Sequence, residues 1–358
     1  FYSFLSFNLP IIKVILSYNC FMKTITLKSP FDMHLHLRDN DMLKLVAPLT
    51  SDTFTGAIIM PNLVPPVDTK EAVTAYKNRI MDAVSDKTFN PMMTLFFKPY
   101  TKEFLEDVRD EITALKLYPA GITTNSEGGV ESIDTIALAP TLNAMIDLDI
   151  PLCIHGETNG FVMDREAEFM SVYEELAIAF PKLKIIMEHI TTKDAVEMVQ
   201  KYDNLYATIT LQHLLITLDD VAGGMLQPHL FCKPIAKRYE DRDALLNIAL
   251  SGHPKIMFGS DSAPHPKHAK EACGCAAGVF TSPIALQVLV ELFEKNNCLD
   301  NLQKFISDNA CKIYNMKPSS KDVTLEKKDF IVPKAYEAYG ETVVPMYAGE
   351  TITWSIKS

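Results

Sequence analysis

The sequence has no excess of positive charge. Its 34 Lys and Arg stand against 45 Asp and Glu, giving a formal net charge of −11. A chain of that sign has no overall attraction for nucleic acid or an anionic membrane surface. It still permits an anionic substrate, because a few local cations or bound metals can dominate a pocket. The glycine-rich signatures of nucleotide binding are missing too. Neither GxGxxG after a strand-like run nor GxxxxGK[ST] occurs. No internal repeat and no low-complexity linker divides the chain.

A disulfide framework is also lacking. The seven cysteines (Cys20, Cys153, Cys232, Cys273, Cys275, Cys298 and Cys311) are odd in number and scattered. Such frameworks belong mainly to small secreted domains, so these residues read as reduced thiols in a cytoplasmic protein. Cys273 and Cys275 flank a single glycine, which is not the usual zinc-ribbon spacing. The segment reads as a loop of small residues. Residues 1–21 are apolar, but Pro10 interrupts them and Lys13 sits in their middle. No basic residues precede the run and no small-residue cleavage site follows it, so it makes a poor signal peptide and a poor membrane span. The preferred reading is a non-native or disordered upstream extension, with Met22 as the functional start and one domain over 22–358. A membrane anchor is the alternative.

What the chain does have is apolar material in regular portions. Hydrophobic residues make up 47% of the 358 residues and charged residues 22%. That mix suits a well-buried globular protein, and a chain of this size buries roughly three quarters of its surface on folding. Short β-rich runs recur at 31–37, 55–61, 91–97, 112–119, 150–156, 183–190, 205–212 and 255–263. Helix-like stretches separate them, among them 69–84, 132–148, 164–180, 192–202 and 241–251. Asp68 and Thr69 look like helix entry signals, as does Thr191 or Thr192 before Asp194. Strands alternating with helices imply parallel pairing, and eight of them predict a (β/α)8 TIM barrel. A doubly wound open sheet is the alternative. The tail after Pro318 is mixed, with β-like runs at 341–345 and 350–356. It reads as a short C-terminal extension packed on the barrel.

Candidate metal ligands fall where a barrel would carry chemistry. In FDMHLHLRD, His34 and His36 are two apart on a strand and share a face. His155 in CIHGE ends the fifth run, His189 in MEHIT the sixth, and Asp261 in GSDSAPH the eighth. All lie at the C-terminal ends of strands, the catalytic face of barrel enzymes. Lys116 is the odd member, flanked by apolar residues in ALKLYP. A protonated lysine there would be an unpaired buried cation. Burial lowers the amine's pKa, and the neutral form can add CO2 to become an anionic carbamate that bridges two metals. Pairing with Asp261 or another acid is the other reading, and the residues alone leave both open.

The runs DMHLHLRD, MPN, LKLYPAGITTNSEGGV, CIHGE, MEHITT and GSDSAPHPKHAKE together resemble the amidohydrolase superfamily. They are similar in particular to the compact, single-chain dihydroorotases, from about Met22 to the C-terminus. The resemblance implies two divalent metal ions, most simply Zn2+. His34, His36 and Asp261 would hold one, and His155 and His189 the other. It favours the carbamate on Lys116 as the bridge between them. A shared water or hydroxide would be the nucleophile, and Asp261 would shuttle its proton. On the substrate side the resemblance points to Arg38, Asn62 and His265 as carboxylate contacts. Thr123 and Thr124 would sit on a mobile lid, and the backbone near Lys233 and Ala276 would meet the pyrimidine ring. Lys233 departs from the family, which usually has Leu there. Because the HxH follows Met22 so closely, the N-terminal half of the accessory β-sandwich of hydantoinase-like relatives has no room.

The implied reaction is the interconversion of L-dihydroorotate and N-carbamoyl-L-aspartate in pyrimidine biosynthesis. The small-molecule substrate would be met by a cytoplasmic homodimer with no nucleic-acid or membrane partner. Two rivals differ in kind. A hydantoinase or allantoinase would share fold and metals but not the carboxylate contacts. A catalytically dead binding subunit would typically have lost metal ligands, and all six candidates are present.

Overall fold

The computed structural model describes residues 23–357, and the reading of residues 1–21 as an extension lies outside them. The chain opens with strand β1 (Thr24–Lys28). Eight strands follow: β2 (Phe31–Leu35), β3 (Gly56–Ile59), β4 (Asn90–Phe96), β5 (Ala114–Leu117), β6 (Leu152–Ile154), β7 (Ile185–Met187), β8 (Leu205–Ile209) and β9 (Ile256–Phe258). They form one sheet in sequence order, every adjacent pair parallel. Each of the eight falls on one of the apolar runs. The runs are continuous rather than alternating because the strands are buried on both faces, one toward the barrel interior and one toward the helices.

Closure between β2 and β9 uses a few specific bonds. Asp261 N–H donates to His34 O at 2.8 Å and His36 N–H to Ser262 O at 3.1 Å. The buried Asp32 carboxylate accepts the backbone N–H of Ser260 at 2.8 Å and its hydroxyl. The seam that shuts the barrel is therefore built from the residues that flank three candidate ligands.

Helices lie between successive strands, and their starts have visible causes. Thr69 caps Lys70–Ala83, its hydroxyl accepting from Ala72 N–H. Thr192 caps Lys193–Lys201 in the same way through Ala195 N–H. Of the two pairs of entry signals, the second residue is the cap each time. The 132–148 stretch starts its helix later, at Thr135, because the Asp134 carboxylate takes the N–H groups of Ile136 and Ala137.

Two apolar clusters divide the molecule. The smaller fills the barrel with Met33, Ile58, Met60, Met92, Cys153, Ile186 and Met257, and Ala310 and Ile313 close it from below. The larger lies between strands and helices. The pairing of β2 with β3 slips between Asp32 and Leu35. This bulge lets Met33 join the interior packing while His34 and His36 reach the upper end.

The tail packs on the barrel. Strand β10 (Asp322–Glu326) pairs antiparallel with β1 and with β15 (Ser355–Ile356). Between them, β11 (Phe330–Ile331) pairs with β14 (Thr351–Ile352), and β12 (Tyr336–Ala338) with β13 (Glu341–Val343). Val323, Leu325, Val343 and the fully buried Trp354 join the larger cluster. The six described cysteines are all free. Among the described residues no helix is long and apolar enough to cross a membrane.

Candidate active site

His34, His36 and Asp261 come together where β2 meets the end of β9. Their ligand atoms lie within 4.8 Å of one another, and all three residues are buried. His36 Nε2 is 3.1 Å and His34 Nε2 3.5 Å from the same oxygen, Asp261 Oδ1. The other ring nitrogen of His34 is committed, since Nδ1 is 2.8 Å from Glu188 Oε2. An ionised carboxylate only accepts, so the ring must donate through Nδ1 and leave its Nε2 lone pair free.

In the second pair, His155 uses the opposite nitrogen. His155 Nε2 lies 2.8 Å from Glu157 Oε2, which turns the Nδ1 lone pair toward His189 Nε2, 3.1 Å away. The His189 main-chain N–H is held by Thr208 Oγ1 at 2.7 Å, and its Nδ1 is buried without a hydrogen-bond partner. Burial pushes the pKa of His155 down and that of His189 well down, while His36 falls to about 4. Neutral imidazoles are the ligand form. His189, Asp261 and Arg38 all adopt the left-handed backbone region, with φ of 40°, 43° and 61°. Non-glycine residues there carry strain that clusters at functional sites.

Lys116, in β5, is fully buried, and its Nζ has no hydrogen-bond partner. The amine lies 4.7 Å from the centre of the Tyr118 ring. Burial drives its pKa below the ordinary 10.5. The alternative of an ion pair with Asp261 is not realised. An orphan amine, an orphan imidazole nitrogen and converging lone pairs form a poor set on their own. The same set fits divalent cations, because nitrogen and carboxylate donors then meet their natural partner.

Above these residues is a small cavity lined by His34, His36, Arg38, Asn62, Thr123, Thr124, His155, His189, Lys233 and Asp261, together with Tyr118, Ala277 and Gly278. Arg38 Nε donates to Pro264 O at 2.9 Å, and its Nη2 is 3.0 Å from His265 Nε2. His265 thus stands beside the guanidinium, and the same Nε2 is 2.9 Å from Ala277 O. Burial and the Arg38 charge push His265 down to about 3, so it stays neutral. Asn62 Nδ2 donates to Thr124 O at 2.9 Å, and Asn125 Nδ2 returns a bond to Asn62 O at 3.0 Å. On the other side Lys233 Nζ reaches Ile122 O at 3.2 Å. The 119–130 segment is thus fastened from both flanks over the cavity. Ala276 faces a neighbouring outer cavity, which shares Thr123, Thr124, Lys233 and Ala277 with the inner one.

The amidohydrolase family profile matches residues 30–320. A dihydroorotase from Helicobacter acinonychis is 45% identical over 93% of this chain and 98% of its own length. The crystal structure of a dihydroorotase from Campylobacter jejuni superposes with a TM-score of 0.91 at 59% identity, covering 94% of this chain and 99% of that one. A Saccharomyces cerevisiae dihydroorotase, solved with 5-fluoroorotic acid, gives 0.89 at 35% identity with the same coverage. The chain belongs to the dihydroorotases of the amidohydrolase family. It is therefore a metal-dependent hydrolase acting on a small molecule. An L-hydantoinase from Arthrobacter aurescens, 17% identical with a TM-score of 0.77, shares the fold.

Within this family frame, several residues of the site have no role in the sequence reading. Glu157 and Glu188 orient His155 and His34, yet only their presence in HGE and EHIT hinted at them. Asp32 precedes His34 by two residues, and its carboxylate accepts from both His34 N–H and Ser260. Thr208 holds both Glu188 and the His189 backbone, and nothing in its local sequence distinguishes it.

Proposed function

We propose that residues 22–358 carry the reversible hydrolysis of L-dihydroorotate to N-carbamoyl-L-aspartate. The observation that carries this reading is the pairing of an orphan buried amine, Lys116, set against the Tyr118 ring that lines the cavity, with a cationic corner at Arg38 on the cavity wall. One feature suits a metal-bridging carbamate and the other suits a substrate that brings its own carboxylate.

In this proposal His34, His36 and Asp261 would hold one divalent ion, most simply Zn2+, and His155 and His189 a second. Lys116, carbamylated by CO2 with release of a proton, would be a shared ligand. When bound, such ions supply Lewis acidity and lower the pKa of water. The chain's own groups do the rest. Asp261 accepts the proton of the attacking water and returns it to the departing ring nitrogen. Arg38, Asn62 and His265 hold the substrate carboxylate, with His265 Nε2 3.0 Å from the guanidinium. Thr123 and Thr124 contact the substrate from the lid and keep bulk water out. Lys233 and the main chain near Ala276 border the ring. The same reading includes a cytoplasmic homodimer, and light scattering tests the dimer.

The experiment is a joint one on the chain from Met22. Metal content is measured by mass spectrometry, and L-dihydroorotate hydrolysis is followed by ultraviolet absorbance. Two divalent ions per chain, with activity lost on chelation and no turnover of hydantoin, is the expected result. Hydantoin turnover without dihydroorotate turnover would move the substrate to a hydantoinase type.

A further inference from the structure

Lys270 lies at the C-terminal end of a single helical turn, Lys267–Lys270, after β9. It is 3% exposed, yet no carboxylate pairs with it. Glu271, the next residue, turns instead to His229 at 3.0 Å. The Lys270 ammonium donates to three main-chain carbonyls: Phe231 O at 2.9 Å, Ala276 O at 2.8 Å and Gly278 O at 2.7 Å. An ammonium has three donors, so the group is fully used.

These carbonyls belong to two loops, one following β8 and one following β9. A further bond, Gly278 N–H to Phe231 O at 2.9 Å, ties them directly. The second loop is also pressed against the end of β9. A Cβ on Gly278 would stand 2.3 Å from Ala263 O and 3.0 Å from the His265 ring. The neighbours of the clamped carbonyls, Lys233, Ala277 and Gly278, line the inner cavity. Burying a cation without an anion is unfavourable, and burial moves the amine down to about 8. A hydrophobic residue would fill the space more cheaply if packing were all that mattered.

We propose that Lys270 is a positioning residue for the substrate: its ammonium fastens the Phe231–Lys233 and Ala276–Gly278 loops together and so fixes the ring side of the cavity. The proposal rests on the functional reading above for the identity of the substrate. It gives Ala276 a place as well, since its carbonyl belongs to the clamp and its N–H goes to Ala269 O at 3.0 Å.

The test compares zinc-loaded, full-length wild type, Lys270→Ala and Lys270→Arg. In Lys270→Ala, KM for L-dihydroorotate should rise about tenfold with kcat within about twofold, the pattern of lost ground-state positioning. Hydrogen exchange at Gly278 N–H should speed up, with metal content unchanged. Added ethylammonium should restore part of the KM, whereas tetramethylammonium, which has no N–H, should not. Should Lys270→Ala fail to fold, Lys270→Arg supplies the comparison, with its charge kept but its planar fork unable to meet three carbonyls. Unchanged KM and Gly278 exchange would overturn the proposal. So would a fall in kcat that tracks metal loss and ignores the amine. A wild-type protein inactive on L-dihydroorotate would overturn the functional reading, and Gly278 exchange with and without amine would still decide whether Lys270 fastens the loops.

Discussion

Glu188 directly precedes His189, yet its carboxylate serves His34 on another strand, with Oε2 2.8 Å from Nδ1. The same oxygen accepts from Thr208 Oγ1 at 2.6 Å. In the proposed metal site, this contact fixes which nitrogen of His34 is left to bind. In Glu188→Ala the ring is free to turn or to take the other tautomer. Metal affinity should fall roughly 10–100-fold, the usual loss when a carboxylate behind a ligating histidine is removed. Competition with a chromogenic chelator measures it. Affinity equal to wild type would mean that packing alone orients His34.

Lys116 makes an opposite kind of prediction, about the metal-free protein. Its Nζ is buried without a partner, and its pKa in the fold is below 10.5. The unfolded chain therefore binds the proton more readily than the folded one. Metal-free stability should rise with pH between the lowered folded pKa and the unfolded value, and it should be lost again as pH falls. Lys116→Met, similar in length and apolar, should abolish that slope. It should also match or exceed the wild type in urea midpoint under chelation, by about 1–3 kcal/mol, while activity disappears. A Lys116→Met protein markedly less stable than metal-free wild type at neutral pH would show that the amine has a partner in solution.

The barrel was legible because all eight strands are buried on both faces and so appear as separate apolar runs. The candidate ligands stand out because they end those runs, as His155 and His189 do. What the sequence hid is whatever depends on contacts between distant segments. Glu188 pairs with a histidine 154 positions away, and Asp32 meets Ser260 across 228. Strand β1 is recognisable only through its partner β10, nearly the whole chain later. The position of His265 four residues past Asp261 points to the site, but its contact with Arg38, 227 positions away, is hidden in the sequence.

Lys233 stands where Leu is usual in the resembling family, and its side chain has found a use. Nζ donates to Ile122 O at 3.2 Å, at the base of the lid segment. In Lys233→Leu that bond is lost, while the bonds from Asn62 and Asn125 remain. Hydrogen exchange over 119–130 should accelerate, and kcat/KM should fall by less than about tenfold, as expected for one half-buried hydrogen bond among several. Exchange unchanged by the substitution would remove Lys233 from the lid's support.

Asp261 is asked to do two things, and one substitution can separate them. Its Oδ1 lies between His36 and His34, while its position on the cavity wall faces the space where the proposed reaction would take place. Asparagine keeps an oxygen in that place but cannot take a proton. Asp261→Asn should therefore bind orotate, a carboxylated pyrimidine, with affinity close to that of wild type, because Arg38 and Asn62 are untouched. Turnover should fall by about 10²–10⁴-fold, the usual contribution of a positioned general base. Calorimetry with orotate and metal analysis on the same sample keep the two roles apart. If binding and metal are retained and turnover is lost, Asp261 is the proton carrier. If metal is lost along with turnover, its main part is as a ligand. Turnover near wild type, with metal retained, would transfer the proton step to another group.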